Sequence, residues 1–269
     1  MPEAFPRAGS GPAPPATVDR IDSRPLDHLA ADAWPPLESR ALDGWRLRAA
    51  SGVTKRANSV LTSGPVADPE RAIDAVEAFA REHGIPPLLQ LGPATLPADL
   101  AERLSARGYS PHDRTLVLTG NVGEALTALN GRPAEIEAHP SDEWMRLWWS
   151  VDGRGGDAEL DVARRILAGC DSSYALLRDE GGPAACGRLA FATALDGEEW
   201  CGLFGVATRP DARRRGHASS VLRSLLEQAR NRGIERLWIQ VLESNSGARR
   251  LYAALGCEQS SWYEYWRRP

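Results

Sequence analysis

Apolar residues along this chain recur with two alternating periods, one of three to four positions and one of two. Ile73, Val76, Phe79 and Ala80 share one face of residues 68–84. That stretch opens with Asp68 and Pro69 and stops at Gly84, so a capped helix is expected there. The short apolar run "PLLQL" (87–91) reads as a buried strand, "LPADLAERLSARG" (96–108) as a second capped helix, and "RTLVLT" (114–119) as another strand. Upstream, "GWRLRA" (44–49) and "ANSVLT" (57–62) read as strands joined by the polar turn "SGVTKR".

After the turn "NGRP" the pattern begins again. "AEIEAH" is a strand, and "SDEWMRLWWSV" and "DAELDVARRILAG" are helices separated by the loop "DGRGG". "SYALLR" and "ACGRLAFAT" form a hairpin through "DEGGP", and "EEWCGLFGVAT" (198–208) continues the antiparallel run. A helix over 216–232, a strand over 236–241, a helix over 246–256 and an aromatic strand over 261–267 close the chain. Helix 68–84, strand 87–91, helix 96–108 and strand 114–119 repeat that order, which predicts a tandem duplication of one α/β unit. The expected division is a Pro-, Ala- and Gly-rich flexible arm over 1–18, a first unit over 19–131 and a second over 132–269.

Composition narrows the function. The chain has 269 residues, a formal net charge of -4 and only one lysine, Lys55. A protein built to neutralise nucleic-acid phosphates is normally strongly basic, so nucleic acid is not expected as a partner. Cys170, Cys186, Cys201 and Cys257 are scattered without a C-x-x-C pair, which fits reduced thiols better than a metal site or disulfide framework. No run of about 18 apolar residues and no signal-peptide pattern occurs, so the expectation is a soluble, cytoplasmic protein with no membrane contact.

The chemistry concentrates in "ATRPDARRRGHASSVLRSLLEQA" (207–229). A strand runs into an arginine-rich turn with one glycine and then a helix. The first N–H groups of a helix lack internal partners and carry the positive end of its dipole, so the turn suits a phosphate. Gly216 and Ala218 are small enough to let a diphosphate approach the backbone. No "GK[ST]" follows, which argues against a P-loop.

"RRRGHA" resembles the [RQ]-x-x-G-x-[GA] signature of the GNAT N-acetyltransferases, with Arg213, Gly216 and Ala218 in the defining places. "SNSGARRLYAALGC" is similar to the family's N-x-x-A-x-x-L-Y-x-x-x-G-F segment at Asn245, Ala248, Leu251, Tyr252 and Gly256, with Cys257 in place of the usual aromatic. The resemblance covers about 133–269. It implies an α/β fold of two GNAT-like units, each a mixed, mostly antiparallel twisted sheet flanked by helices. It also implies acetyl-CoA as co-substrate. The diphosphate would lie on the amides of Arg214, Arg215, Gly216, His217, Ala218 and Ser219, with Arg213 to Arg215 adding charge around the 3′-phosphate. The pantetheine arm would pair with Val206, Ala207 and Thr208. Asn245 would hold the arm or the entry of the following helix, and Tyr252 would protonate the leaving thiolate. The first half lacks the arginine–glycine turn, and resembles the degenerate halves of tandem acetyltransferases such as mycothiol synthase.

The general base is where the pattern departs. Many relatives carry a glutamate on the fourth or fifth strand, and the corresponding residues here are Gly202 and Gln240. Glu198 shares the strand face of Gly202 and is the candidate, acting through water; otherwise water alone carries the proton off. The resemblance implies that the helix carrying Trp144, Trp148 and Trp149 borders the acceptor site; these tryptophans either pack in the core or, with Asp152 or Asp157, receive an apolar-bodied amine, and "GVTKRAN" (52–58) is either an ordinary hairpin or a lip over that site. The expected activity is acetyl transfer to a primary amine of a small molecule, by direct attack in a ternary complex. Acetylation of a protein lysine or N-terminus, and non-catalytic acyl-CoA binding, stay open.

Overall fold

The computed structural model describes residues 24–268; the arm expected over 1–18 lies outside them. The first half comprises α1 (Arg24–Ala33), β1 (Glu38–Leu42), β2 (Trp45–Ala49), β3 (Val60–Leu61), α2 (Pro69–Glu82), β4 (Leu88–Leu91), α3 (Leu100–Ala106), β5 (Ser110–Asn121) and α4 (Val122–Ala128). The second half contributes β6 (Glu135–Glu137), α5 (Asp142–Asp152), α6 (Asp157–Leu167), β7 (Ser172–Asp179) and β8 (Gly182–Thr193). It continues with β9 (Glu199–Thr208), α7 (His217–Asn231), β10 (Arg236–Leu242), α8 (Ser246–Ala254) and β11 (Glu258–Arg267).

These strands form one mixed sheet in the order β1-β2-β3-β4-β11-β5-β10-β9-β8-β7-β6. The order contains a feature invisible to pattern reading: the last strand of each half sits inside the other. β5 pairs with β10 from Arg236↔Asn121 to Leu242↔Thr115, and β11 pairs with β4 from Glu264↔Leu91 to Arg267↔Leu88. β5 and β11 also pair with each other, so the exchange joins the halves through backbone hydrogen bonds.

Local chemistry accounts for most boundaries. Asp68 caps α2 by accepting from Glu70 and Arg71 N–H, and Pro69 takes the first turn. α3 starts at Leu100 rather than at 96, because the Leu96 N–H is donated to Thr62 and Pro97 follows. The expected strand over 57–62 pairs only at Val60 and Leu61, since residues 56–58 form a 3₁₀ turn. α1, β1 and α4 were not expected; α1 nevertheless carries the helical spacing Leu26, Leu29, Ala30, Ala33 and buries that face.

α1 packs across the two halves rather than on its own half alone. Leu29, Ala33 and Trp34 join a cluster with Trp144, Trp148, Tyr174, Phe204 and Trp238 of the second half. The fully buried Arg188 donates to the Ala33 carbonyl at 2.8 Å and to the Tyr174 hydroxyl at 3.2 Å, fixing the end of α1 on the sheet. All four cysteines are free thiols. No helix among the described residues is long and apolar enough to cross a membrane.

Candidate functional site

Two neighbouring strands part near the middle of the sheet. β10 pairs with β9 in parallel only from Arg236↔Trp200 to Ile239↔Leu203. Beyond that point β9 bulges, three of its steps (Phe204 to Ala207) standing opposite two on β8. Gly205 takes φ +56° in the bulge, where a Cβ would also come within 3.3 Å of Trp144. β10 meanwhile stays with β5, so a cleft of about 590 Å³ opens between β9 and β10.

The arginine turn forms one wall. Arg214 (φ +61°) and Gly216 (φ +78°) are left-handed, which turns successive N–H groups inward as an anion-binding concavity. α7 has no side-chain cap and its first helical bond is Ser220 N–H to Gly216. Among the described residues nothing accepts from the N–H groups of Arg214 to Ser219, which leaves them free for an anion. The first half does the opposite, because the Asp68 carboxylate already occupies the start of α2.

Val206, Ala207, Thr208, Arg213, Arg214, Gly216, His217, Ala218, Ser219, Asn245 and Tyr252 all line this cleft. Arg215 turns instead to a neighbouring basin with Arg132, Arg178 and Arg209. Asn245 caps α8, its side chain accepting from the Ala248 N–H at 3.1 Å. Tyr252 is 7% exposed, and burial pushes its phenol up to about 12.

Glu198 is not brought to the cleft. It precedes β9 at the far end of the strand, about 25 Å of extended chain from Val206, and pairs with Arg236 at 2.7 Å. Gly202 has no room for a larger side chain, since a Cβ there would lie 2.3 Å from the Trp238 indole. Gln240 accepts from Arg56 Nε at 2.7 Å.

A second cavity of about 690 Å³ adjoins the first, walled by Trp148, Trp149, Tyr263 and Tyr265 and closed by residues 51–56 of the first half. The segment 52–58 is therefore the lip rather than a plain hairpin. Asn58 holds it in shape: its side chain accepts from Ala50 and Gly52 N–H at 2.7 and 2.9 Å, and donates to Val53 and Thr54 carbonyls at 2.7 and 2.8 Å. These bonds hold Ser51, Gly52 and Thr54 in left-handed conformations. Asn58→Ala should cost about 3 kcal/mol in denaturant unfolding, because it strands several buried partners; a loss under about 1 kcal/mol would show the lip is held otherwise. Trp144 belongs to the core, donating its indole N–H to the Gly187 carbonyl at 3.0 Å.

Among the described residues, Asp152 alone lines both cavities. Its carboxyl is raised above the usual range by burial, with Arg154, Arg56 and Arg213 pulling it back. It also ends α5, where the helix dipole is negative and adds to the cost of its charge. The sequence had offered Asp152 as a receiver for an amine; its position between the two cavities came only from tertiary structure. Asp157, the other receiver considered, lines neither.

The family model described as "Probable histone acetyltransferase Rv0428c C-terminal" matches residues 21–266. The chain is similar to the "Uncharacterized N-acetyltransferase YobR" of Bacillus subtilis, at 27% identity over 91% of this chain and 98% of that protein. It is also similar to the "Probable histone acetyltransferase Rv0428c" of Mycobacterium tuberculosis, at 30% identity over 84% of this chain and 68% of that protein. Among solved structures, the "GCN5-related N-acetyltransferase from Kribbella flavida" superposes with a TM-score of 0.63, at 20% identity over 95% of this chain and 97% of that one.

Proposed function

From the premise that the chain belongs to the GNAT N-acetyltransferase family and is an acyltransferase, we propose that it moves acetyl from acetyl-CoA to a primary amine of a small molecule. Attack is direct, in a ternary complex, with the second half (132–269) carrying the chemistry and the first half (19–131) closing the acceptor side. The observation that carries this reading is Asp152, a partly desolvated carboxylate that, among the described residues, stands at the junction between the amide-lined cleft and the aromatic pocket.

The cleft fits acetyl-CoA on its own terms. The free amides of Arg214 to Ser219 suit its diphosphate, and the unpaired edge of β9 at Val206 to Thr208 suits its amide-bearing arm. Bound there, acetyl-CoA supplies the thioester that the amine attacks. An amine entering from the pocket arrives as ammonium; Asp152 takes its proton, and burial has tuned that carboxylate toward holding one. Tyr252, kept protonated by burial, gives its O–H proton to the sulfur as the C–S bond breaks. Alignment of amine and carbonyl supplies much of the rest.

Thiol release from acetyl-CoA across a panel of small amines and of protein lysine and N-terminal peptides tests the reading. Turnover confined to peptides would transfer the assignment to the activity named for the Mycobacterium relative. The cofactor side has its own check in Gly216→Val. A branched residue at φ +78° carries roughly 1–2 kcal/mol of strain, and its Cβ points into open space where the diphosphate would lie. The KM for acetyl-CoA should rise at least tenfold; an unchanged KM would place the diphosphate elsewhere.

A further inference from the structure

The acceptor pocket contains a cation that no carboxylate neutralises. Arg56 rises from the 3₁₀ turn of the lip into the space between β9 and β10. Its Nε donates to Gln240 Oε1 at 2.7 Å, and its guanidinium lies 5.8 Å from the ring centres of both Trp34 and Phe204. It makes no ion pair among the described residues, whereas its neighbour Lys55 is paired with Asp113. The partner at 240 is an amide and Tyr263 adds a hydroxyl, which together orient the guanidinium and leave its charge and the N–H groups that these two do not take available. A glutamate at that position would have consumed both.

Burying a guanidinium among aromatic rings and an amide is costly unless something repays its lost hydration. Asp152 lies within electrostatic reach but beyond ion-pair distance, and its work is with the amine. The pocket therefore presents Arg56 and Asp152 next to an aromatic wall, while Lys55 and Asp113 in the same lining are paired with each other and Arg154 and Glu159 complete its charged rim.

Resting on the acetyl-transfer reading, we propose that the acceptor is a free α-amino acid with an apolar or aromatic side chain. Arg56 binds its carboxylate through two parallel N–H···O bonds, Asp152 receives its ammonium at the mouth of the acetyl-CoA cleft, and Trp148, Trp149 and Tyr265 hold its side chain. Only the amine reacts: one ammonium proton goes to Asp152, the freed nitrogen bonds to the acetyl carbon, the C–S bond breaks as the sulfur takes the Tyr252 proton, and the second N–H proton of the adduct returns to the Tyr252 phenolate. An internal peptide lysine has no carboxylate beside its amine, and neither has a protein N-terminus, so both leave Arg56 unpaired. A site that hydrogen-bonds a particular group discriminates strongly against analogues lacking it.

The test is acetyl-CoA thiol release by the wild-type protein with phenylalanine, tryptophan and leucine, each beside its decarboxylated amine, its primary amide and a dipeptide in which it is N-terminal. The free amino acid should exceed the other three in kcat/KM by about 10- to 100-fold, the range for a lost charged hydrogen-bond pair. Gln240→Glu, which leaves the fold's volume unchanged and offers Arg56 an internal carboxylate, should collapse that ratio, mainly through KM for the amino acid. Arg56→Gln should collapse it too, and Arg56→Lys should restore part of it. Amines or peptides accepted as well as amino acids would overturn the proposal and leave acetyl transfer standing. Acetyl-CoA binding without thiol release for any member of the panel would overturn both. The wild-type comparison decides even where an Arg56 variant fails to fold.

Discussion

Asp152→Asn should lower kcat by about 10²- to 10⁴-fold, the usual worth of a positioned proton acceptor. The amide keeps the shape of the carboxylate, so the KM for acetyl-CoA should change little. Stability should move the other way. Burial raises the Asp152 pKa in the folded protein above its unfolded value. Its favourable contribution is thus fully present below the unfolded pKa and is lost as pH rises through the folded one. At neutral pH the ionised carboxylate carries a desolvation cost that the exposure of the residue keeps small, so the asparagine variant should melt at a slightly higher temperature than the wild type. The difference should vanish on acidification below about pH 4, the unfolded carboxylate value. Wild-type kcat should fall on the acid side as Asp152 is protonated, at a pH above the ordinary aspartate range, and that limb should flatten in the variant. Equal loss of rate and of thermal stability would mean that Asp152 is structural.

Tyr252→Phe should lower kcat by about 10- to 100-fold. That is less than for the aspartate, because a thiol of pKa near 8.5 leaves tolerably well as a thiolate. The ring keeps its place in the apolar cluster that includes Val221, Leu225 and Leu255, so unfolding free energy should shift by well under the roughly 2–5 kcal/mol of a core truncation. A leaving-group series separates the chemical role from a packing role. With acyl donors whose thiols are more acidic, the protonation matters less and the gap between wild type and Tyr252→Phe should close. A gap that stays constant along the series would sink the acid assignment. No alkaline limb from Tyr252 should intrude in the working range, since burial holds its phenol at about 12.

The arginine turn and the tyrosine helix were legible because their chemistry is local. A left-handed glycine before an uncapped helix and an asparagine that caps the next helix use residues a few positions apart. Backbone geometry there follows from residue type, and so do the free N–H groups. Glu198 shows the limit of that logic. Alternation put it on the face of Gly202, but pairing ran out before it and Arg236 took its charge at the rim. Gly202 itself owes its size to Trp238 on the adjoining strand, 36 residues later.

By itself the sequence determined the alternation of helices and strands, the left-handed turn at Arg213 to Ser219 that opens an uncapped helix, and the helix that carries Tyr252. Each depends on periodicity, capping or φ preference within one or two turns of chain. Only the tertiary structure decided that β5 and β11 change places between the halves, that Asn58 shapes a lip over the second half, and that Arg56, Gln240 and Asp152 meet in one pocket. Those facts rest on register and packing between segments up to 184 residues apart. Sequence pattern records which face of a strand is apolar and not which strand will lie beside it.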